Sequence, residues 1–178
     1  MTVRANKPAF NIREKLKSLD YSHLPYEKMP AGSVVQVVHN MSTTESGGTT
    51  IGGGTEHLAV PNTSITPYLP GSKILIIGGI STWVQHTSST VVYGKTRIKR
   101  NNITIQDTQG AEFVFGPVTE WGLHAPLEVL DNPSYSVGET INYSLYWVHS
   151  SPGSLSTLKV NRTTTYRGSS ITIMEIAQ

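Results

Sequence analysis

The stretch Ser170-Ile-Thr-Ile-Met-Glu-Ile-Ala-Gln178 decides the fold, because it has the pattern of a β-strand and runs to the last residue of the chain. A strand needs hydrogen-bonding partners for its backbone, and here they must come from strands earlier in the sequence. We therefore expect the C-terminus to belong to a sheet, with this strand closing the fold.

Composition limits both the class of protein and its chemistry. The 178 residues suit one domain, or one domain with an appendage. Serine and threonine are abundant, and 16 Gly, 10 Pro and only 15% charged residues favour strands and turns over helices. Cysteine is absent, which excludes disulfides and a thiolate nucleophile. A net charge of +2 does not indicate nucleic acid binding, and no apolar run predicts export or membrane insertion, so we expect a protein that is made and kept in the cytosol.

Residues 1–32 are predicted to form an N-terminal arm with one short helix. Asn11 and Glu14 have the spacing of a capping box at the start of that helix. The arm also holds the basic excess of the chain, with six Lys or Arg against three Asp or Glu. The apolar residues expected to dock are Phe10, Ile12, Leu16 and Leu19. The last three of them recur at helical spacing. Since so short a helix is marginal in water, we expect it to become ordered only when these residues dock on another surface.

An all-β domain is predicted over residues 33–178, because from residue 33 the apolar period changes from 3.6 to 2. The predicted strands are Ser33–His39, His57–Val60, Ser72–Ile77, Gly79–Gln85, Thr90–Lys99, Asn102–Gln106, Glu112–Phe115, Leu127–Leu130, Ile141–His149, Leu158–Asn161 and Ser170–Ile176. Many short strands without intervening helices predict an antiparallel β-sandwich, or jelly roll.

Within this domain, single strands predict which residues are buried. The residues expected in the core are Ile141, Tyr143, Leu145 and Trp147, which alternate with polar residues, and also Trp83. Ile74–Ile77 and Thr90–Tyr93 are apolar on both sides, which predicts a covered second face or a subunit interface. The small polar residues of Ser42–Thr55 predict an exposed loop.

No catalytic or metal site is predicted. Gly94-Lys95-Thr96 is similar to the end of a P-loop, but a strand-like sequence precedes it where a phosphate-binding loop is required. The six histidines lack the spacing of metal ligands. Asp107 and Asp131 form no obvious pair for glycosidic hydrolysis, although sequence spacing leaves a pair made in space open. We expect a non-enzymatic protein without a cofactor.

Four residues are candidates for surface contacts. Trp121 lies in the loop-like segment Glu120–His124, where an accessible aromatic ring and the imidazole of His124 would suit a glycan. Gly110–Ala111 is a second predicted loop that could contact a glycan. Alternation places Arg97 and Lys99 on one face of a strand; a solvated turn explains them, and contact with an anionic partner is the alternative.

Three stretches of the domain resemble β-sandwich domains of virion proteins from tailed bacteriophages of marine bacteria. They are Ser64-Ile-Thr-Pro-Tyr-Leu-Pro-Gly-Ser-Lys-Ile-Leu-Ile76, Leu130-Asp-Asn-Pro-Ser-Tyr-Ser-Val-Gly-Glu-Thr-Ile-Asn-Tyr143, and Val160-Asn-Arg162 with Arg167-Gly-Ser-Ser-Ile-Thr-Ile-Met-Glu-Ile-Ala177. The arm is similar, over residues 5–19, to N-terminal segments of cyanophage virion proteins. The resemblance implies a jelly roll like the tumour-necrosis-factor or C1q heads, often trimeric, in a virion appendage.

This resemblance leads to a hypothesis with open alternatives. The chain is expected to be a compact tail fibre or knob, a homotrimer whose arm binds another virion protein such as a tail adaptor. Because residue 33 starts the sandwich at once, no long fibre shaft is present, and a capsid decoration protein at three-fold positions is the first alternative. A host-glycan-binding module is the second, and a glycan-cleaving enzyme ranks last.

Overall fold

The computed structural model describes residues 29–51, 54–86, 90–115, 119–149, 155–162 and 168–178. Side chains are not described at 49–51, 86, 90–93, 108–121 and 155–156. The predicted helix after Asn11 and most of the arm lie outside the described residues. The division into an arm over 1–32 and a domain over 33–178 therefore stays a prediction.

Ten β-strands run through the described part of the chain. They are β1 (Val34–Ser42), β2 (Ser46–Ile51), β3 (Glu56–Ile65), β4 (Lys73–His86), β5 (Thr90–Arg100), β6 (Ile103–Phe115), β7 (Thr119–Asp131), β8 (Ile141–His149), β9 (Leu155–Val160) and β10 (Ser169–Ile176). The described residues contain no helix, which confirms the all-β prediction.

The strands form two antiparallel sheets. Sheet A has the order β1-β10-β4-β7, and sheet B has the order β3-β8-β5-β6. Strands β9 and β2 extend sheet A, because β9 pairs with β4 beyond the end of β10 and β2 pairs with β9. Apart from this added pair, eight strands in two four-stranded sheets make the double-sheet jelly roll that the sequence predicts.

The closing strand β10 lies in the middle of sheet A. Ile173 is directly opposite Val38 of β1 on one side and Ile76 of β4 on the other. Residues of β10 are alternately buried and half-buried, and the buried series is Ser169, Ile171, Ile173 and Glu175. The last strand therefore joins two strands from much earlier in the sequence, as predicted.

The core fills the space between the sheets. All four predicted core residues of β8 are buried, and the largest of them, Trp147, packs against the backbone of β5 at Gly94. A Cβ atom at Gly94 would lie 1.8 Å from Cζ2 of the Trp147 ring, so only glycine fits there. Gly94 of the P-loop-like sequence thus belongs to a strand that packs against the core.

Two pairs of predicted strands are single continuous strands. Ser72–Ile77 and Gly79–Gln85 are both part of β4, and Asn102–Gln106 and Glu112–Phe115 are both part of β6. The glycines that suggested a break in β4 mark close contacts instead. A Cβ atom at Gly78 would lie 2.4 Å from the Ser170 carbonyl oxygen of β10.

The prediction of an exposed loop over Ser42–Thr55 is wrong for Ser46–Ile51, because these residues form strand β2. Its partner is β9, with Ser46 opposite Val160 and Gly48 opposite Leu158. The small polar residues of this segment indicate only the local preference of the backbone for a loop. The strand forms because β9, which is distant in the sequence, supplies its hydrogen-bonding partners.

One buried carboxylate, Glu175 of β10, holds the β3–β4 connection onto sheet A. Its side chain accepts hydrogen bonds from the backbone N–H groups of Tyr68 (3.1 Å) and Leu69 (3.0 Å). It also accepts one from the Ser72 hydroxyl at 2.9 Å and one from Gln36 Nε2 at 2.7 Å. The Glu175 side chain is fully buried, so its oxygens have these donors as partners in place of water.

Replacing Glu175 by alanine is expected to lower the free energy of unfolding by at least about 2 kcal/mol, because several buried donors lose their acceptor. Chemical denaturation of the purified protein measures this loss. Glu128→Ala, at an exposed glutamate of β7, is the matched control and should change stability by less than about 0.5 kcal/mol. Equal effects of the two substitutions would contradict the role of Glu175.

Two histidines lie together inside the sandwich. His57 of β3 is directly opposite Trp147, and His149 lies two residues further along β8 on the same face. Both are buried, and Nε2 of His57 has no hydrogen-bond partner among the described residues. Burial lowers the pKa of His57, and the neighbouring His149 lowers it further. The neutral imidazole is therefore the form that fits the fold.

The stability of the fold should decrease as the pH falls below about 6.5, the pKa of an unperturbed histidine. The unfolded chain then binds a proton that folded His57 resists, at a cost of up to about 1.4 kcal/mol per pH unit. Thermal melting between pH 8 and pH 5 measures this dependence. His57→Gln should flatten the curve, and an unchanged curve in this variant would contradict the role of His57.

Candidate functional site

The basic residues of β5 lie in a row on the outer face of sheet B. Lys95, Arg97 and Lys99 alternate with Thr96 and Ile98, which are buried on the other side of the strand. This alternation follows from the extended backbone, which points successive side chains to opposite faces. The row is thus held on a rigid strand rather than on a turn.

Two carboxylates from neighbouring strands lie beside this row. Arg97 binds Asp107 of β6 with two hydrogen bonds, from Nε at 2.6 Å and from Nη2 at 2.7 Å. Its Nη1 also donates to Glu56 of β3. Lys95 Nζ lies 2.6 Å from Asp107, and Lys99 Nζ lies 2.5 Å from Glu56. We call these five residues the charge cluster.

The charge cluster shifts the ionisation of its members. The hydrogen bond from Arg97, assisted by Lys95, lowers the pKa of Asp107 to about 2. The hydrogen bond from Lys99, followed by that from Arg97, lowers the pKa of Glu56. The Asp107 carboxylate in turn raises the pKa of Arg97. Asp107, Glu56 and Arg97 are therefore charged at neutral pH, and the five side chains of the cluster pair with one another across three strands.

This arrangement bears on the two interpretations of Arg97 and Lys99, a solvated turn and contact with an anionic partner. The cations already bind carboxylates of their own chain, and Lys99 also lies 4.4 Å above the ring of Tyr146. An anionic partner would have to displace these contacts. The geometry therefore supports a structural role, in which the cluster ties β3, β5 and β6 together.

The other two predicted surface residues belong to the other sheet. Glu120–His124 is not a loop but part of β7, and Gly110–Ala111 is part of β6. His124 is exposed, and its ring packs over Gly79 of β4. Trp121 is opposite Val84 in the register of β4 and β7, and its side chain lies outside the described part. Hence the four candidates do not form one site, and a glycan contact by Trp121 stays a prediction.

Trp83 is buried as predicted, but it does not join the core. It lies on the outer side of β4, opposite Gly122 of β7 and Lys159 of β9. The guanidinium of Arg162 stacks on its ring at 3.8 Å from the centroid. Alternation along β4 could have shown this, because Trp83 is an odd number of residues from the buried Ile74, Ile76 and Ile80.

A second ionic contact joins the two sheets at the end near Glu175. Arg100 of β5 donates two hydrogen bonds to Asp131 of β7, at 2.8 and 2.9 Å. The buried Tyr143 hydroxyl donates to the same carboxylate at 2.7 Å, and burial raises the pKa of this phenol. Asp131 is therefore engaged by a cation and a hydroxyl within its own chain.

The described residues contain no group of three or more His, Asp or Glu side chains placed to hold a metal ion. The same part of the chain contains no helix that is long and apolar enough to cross a membrane.

Comparison with known proteins gives similarity of fold only. No protein-family model matches the chain, and no curated protein matches it. A chain of infectious bursal disease virus Gt strain is similar at 14% identity with a TM-score of 0.42, covering 82% of this chain and 39% of that chain. The xylan-binding CBM22-1 domain of Xyn10C from Paenibacillus barcinonensis is similar at 12% identity with a TM-score of 0.29, covering 84% of this chain and 99% of that domain. A sugar-binding EclA C-terminal domain is similar at 9% identity with a TM-score of 0.25, covering 86% and 95%.

None of these similarities carries an argument about this chain. The chain spans about two fifths of the length of the viral chains that it matches. The resemblance to marine phage domains rests on the sequence motifs.

Replacing Asp107 by asparagine should destabilise the protein by about 1 kcal/mol at pH 7, because Arg97 and Lys95 lose a carboxylate that remains partly exposed to water. Since the folded pKa lies below the usual value, this stabilisation is present above about pH 4 and is lost as the pH falls towards 2. Denaturant titration of both proteins at pH 7 and pH 3 measures the difference. A deficit of the same size at both pH values would contradict an ionic origin.

Proposed function

We propose that this chain is a non-enzymatic structural protein of a bacteriophage virion. It forms a compact tail-fibre or knob-like appendage, assembled as a homotrimer and held by its N-terminal arm. The sandwich projects from the virion, and the apolar residues Phe10, Ile12, Leu16 and Leu19 of the arm bind a neighbouring virion protein. Its location is therefore the virion.

One observation carries the proposal: parts of all three stretches that resemble phage virion domains, the third represented by the end of β10, meet at one end of the sandwich. Glu175, in the third stretch, binds the backbone of Tyr68 and Leu69 in the first. The Tyr135 hydroxyl, in the second stretch, donates to the Leu69 carbonyl at 2.7 Å. Stretches that are far apart in sequence thus build one structural unit, which supports a resemblance of whole domains over chance similarity of short segments.

The charges of the sandwich also favour a structural role. The carboxylates of Asp107, Asp131 and Glu56 each bind at least one cation of the same chain. The paired acid and base of a glycosidase need a carboxyl group that exchanges protons with a substrate. These three carboxylates are used to hold strands together.

The arm hypothesis predicts that deleting residues 1–20 abolishes incorporation into virions and leaves a folded sandwich. Ordering the arm costs about 1–2 kcal/mol per residue, so incorporation needs its apolar contact. Immunoblots of purified virions and circular dichroism of the free protein test the two halves. Replacing Phe10, Ile12, Leu16 and Leu19 by serine should have the same effect, whereas serine at Arg13, Lys15 and Lys17 is the matched control. Virions that retain the deleted protein would refute the anchor.

Copy number separates a tail appendage from a capsid decoration protein. Quantitative mass spectrometry of purified virions compares the amount of this chain with that of the major capsid protein. A tail location gives a small fraction of the capsid count, whereas an amount comparable with the capsid protein would show the decoration alternative.

A further inference from the structure

Three chain connections meet at one end of the sandwich. They are the β3–β4 connection (66–72), the β5–β6 turn (101–102) and the β7–β8 connection (132–140). The Tyr135 hydroxyl of the third connection donates to the Leu69 carbonyl oxygen of the first at 2.7 Å. The Asn101 N–H of the turn donates to the Asn142 carbonyl oxygen at 2.8 Å, where the third connection has just entered β8. The three connections are therefore neighbours on one surface.

The N-terminal segment joins the sandwich at this same end. The Gly32 N–H donates to the Ala177 carbonyl oxygen at 2.8 Å, and the Ala177 N–H donates to the Ser33 carbonyl oxygen at 2.9 Å. Ala177 follows β10 and lies two residues after Glu175, which binds the β3–β4 connection. The described part of the chain begins at Met29, so the arm starts from this end. We call the surface of the three connections the arm end.

Each of the three connections presents an exposed apolar side chain, either within it or directly after it. Tyr68 is 48% exposed, Val137 is 56% exposed, and Ile103, which follows the β5–β6 turn, is 69% exposed. Surface turns are formed mainly by Gly, Pro, Asn, Asp and Ser, so the local backbone does not require a large apolar residue at any of the three. Single exposed apolar residues are common on protein surfaces. Three of them on neighbouring connections, at the end where the arm starts, favour a surface that another protein covers.

Three charged side chains near the arm end bind groups of their own chain. Arg100, beside the β5–β6 turn, binds Asp131, the last residue of β7. Glu139 accepts a hydrogen bond from the Ser136 N–H at 3.0 Å. Lys73, at the start of β4, is half-buried and adds a positive charge beside them. The partner that fits the arm end is therefore an apolar protein surface rather than a strongly charged one.

A neighbour bound by the arm is brought close to the arm end. The hydrogen bonds that join Gly32 and Ser33 to Ala177 fix the start of β1 on sheet A, so the arm is attached at this point. The effective concentration of a tethered surface falls as the tether lengthens, and it is therefore highest beside the point of attachment. Apolar contacts that are too weak to form alone can form at the arm end once the arm is bound.

The opposite end of the sandwich is distant from this surface. Asn142 of β8 lies at the arm end, whereas His149, at the other end of β8, donates its N–H to the Thr55 carbonyl oxygen. The strand from Asn142 to His149 spans about 23 Å. Thr55 is exposed and therefore marks the far end.

We propose that the arm end is a second contact surface for the virion protein that binds the arm. Tyr68, Ile103 and Val137 pack against an apolar surface of that neighbour, and the far end, marked by Thr55, points away from it. The inference rests on the proposed function, because it takes the arm as the anchor on the virion. It adds the orientation of the sandwich and a contact made by residues of the sandwich itself.

Single engineered cysteines test the orientation, because the chain has no cysteine of its own. Ser136→Cys and Ile103→Cys report on the arm end, and Thr55→Cys, at an exposed residue of the far end, is the matched control. Each variant is treated with a maleimide-linked polyethylene glycol, both as free protein and in purified virions, and the gel shift measures the labelled fraction. In virions, labelling at the two arm-end positions should fall several-fold relative to the free protein, whereas labelling at position 55 should stay the same.

Added charge at the contact gives a second test. Ile103→Lys with Val137→Lys should lower the amount of the chain in virions several-fold, because burying lysine against an apolar surface is unfavourable. Thr55→Lys with Leu58→Lys, at exposed residues near the far end, is the matched control and should leave the amount unchanged. Circular dichroism of the free proteins verifies that both variants are folded. Equal incorporation of the two double variants would contradict the contact.

The labelling outcomes separate this inference from the proposed function. If the arm-end positions react in virions as fast as in the free protein, the contact surface is overturned and the virion function stands. Protection at position 55 alone would show the opposite orientation and would also overturn the inference. A chain that is absent from purified virions would overturn both the inference and the proposed function.

Discussion

The position of β10 between β1 and β4 is the constraint on which the rest of the structure depends. Without this strand the two strands have no contact in sheet A, because each pairs with β10 along the edge that would otherwise be open. The inward face of β10 carries Ile171, Ile173 and Glu175. The same strand therefore supplies apolar residues to the core and a carboxylate that binds the β3–β4 connection. The Glu175 carboxylate then fixes the β3–β4 connection, which sets where the chain crosses between the two sheets.

The two outer faces of the sandwich differ in chemical character. Sheet B covers its outer face with the charge cluster, whose members satisfy one another and remain compatible with water. Sheet A instead carries Val37, Met174, Leu75 and Leu130 at directly opposite positions of β1, β10, β4 and β7, where they are exposed or half-buried. Such an apolar surface gains free energy only when something covers it. A jelly roll with one face of paired charges and one apolar face has a preferred side for contacts.

Much of this architecture could be predicted from alternation within single strands. The core residues of β8 and the closing strand β10 followed from a period of two, because each strand buries one face. The burial of Glu175 could have been predicted in the same way, since it shares the parity of Ile171 and Ile173. By contrast, β2 and the Arg97–Asp107 pair depend on partners in other strands. The β5–β6 hairpin, which brings Arg97 opposite Asp107, turns at Asn101 and Asn102, where φ is 48° and 67°. The two consecutive asparagines were the signal in the sequence for this turn, because asparagine tolerates a positive φ.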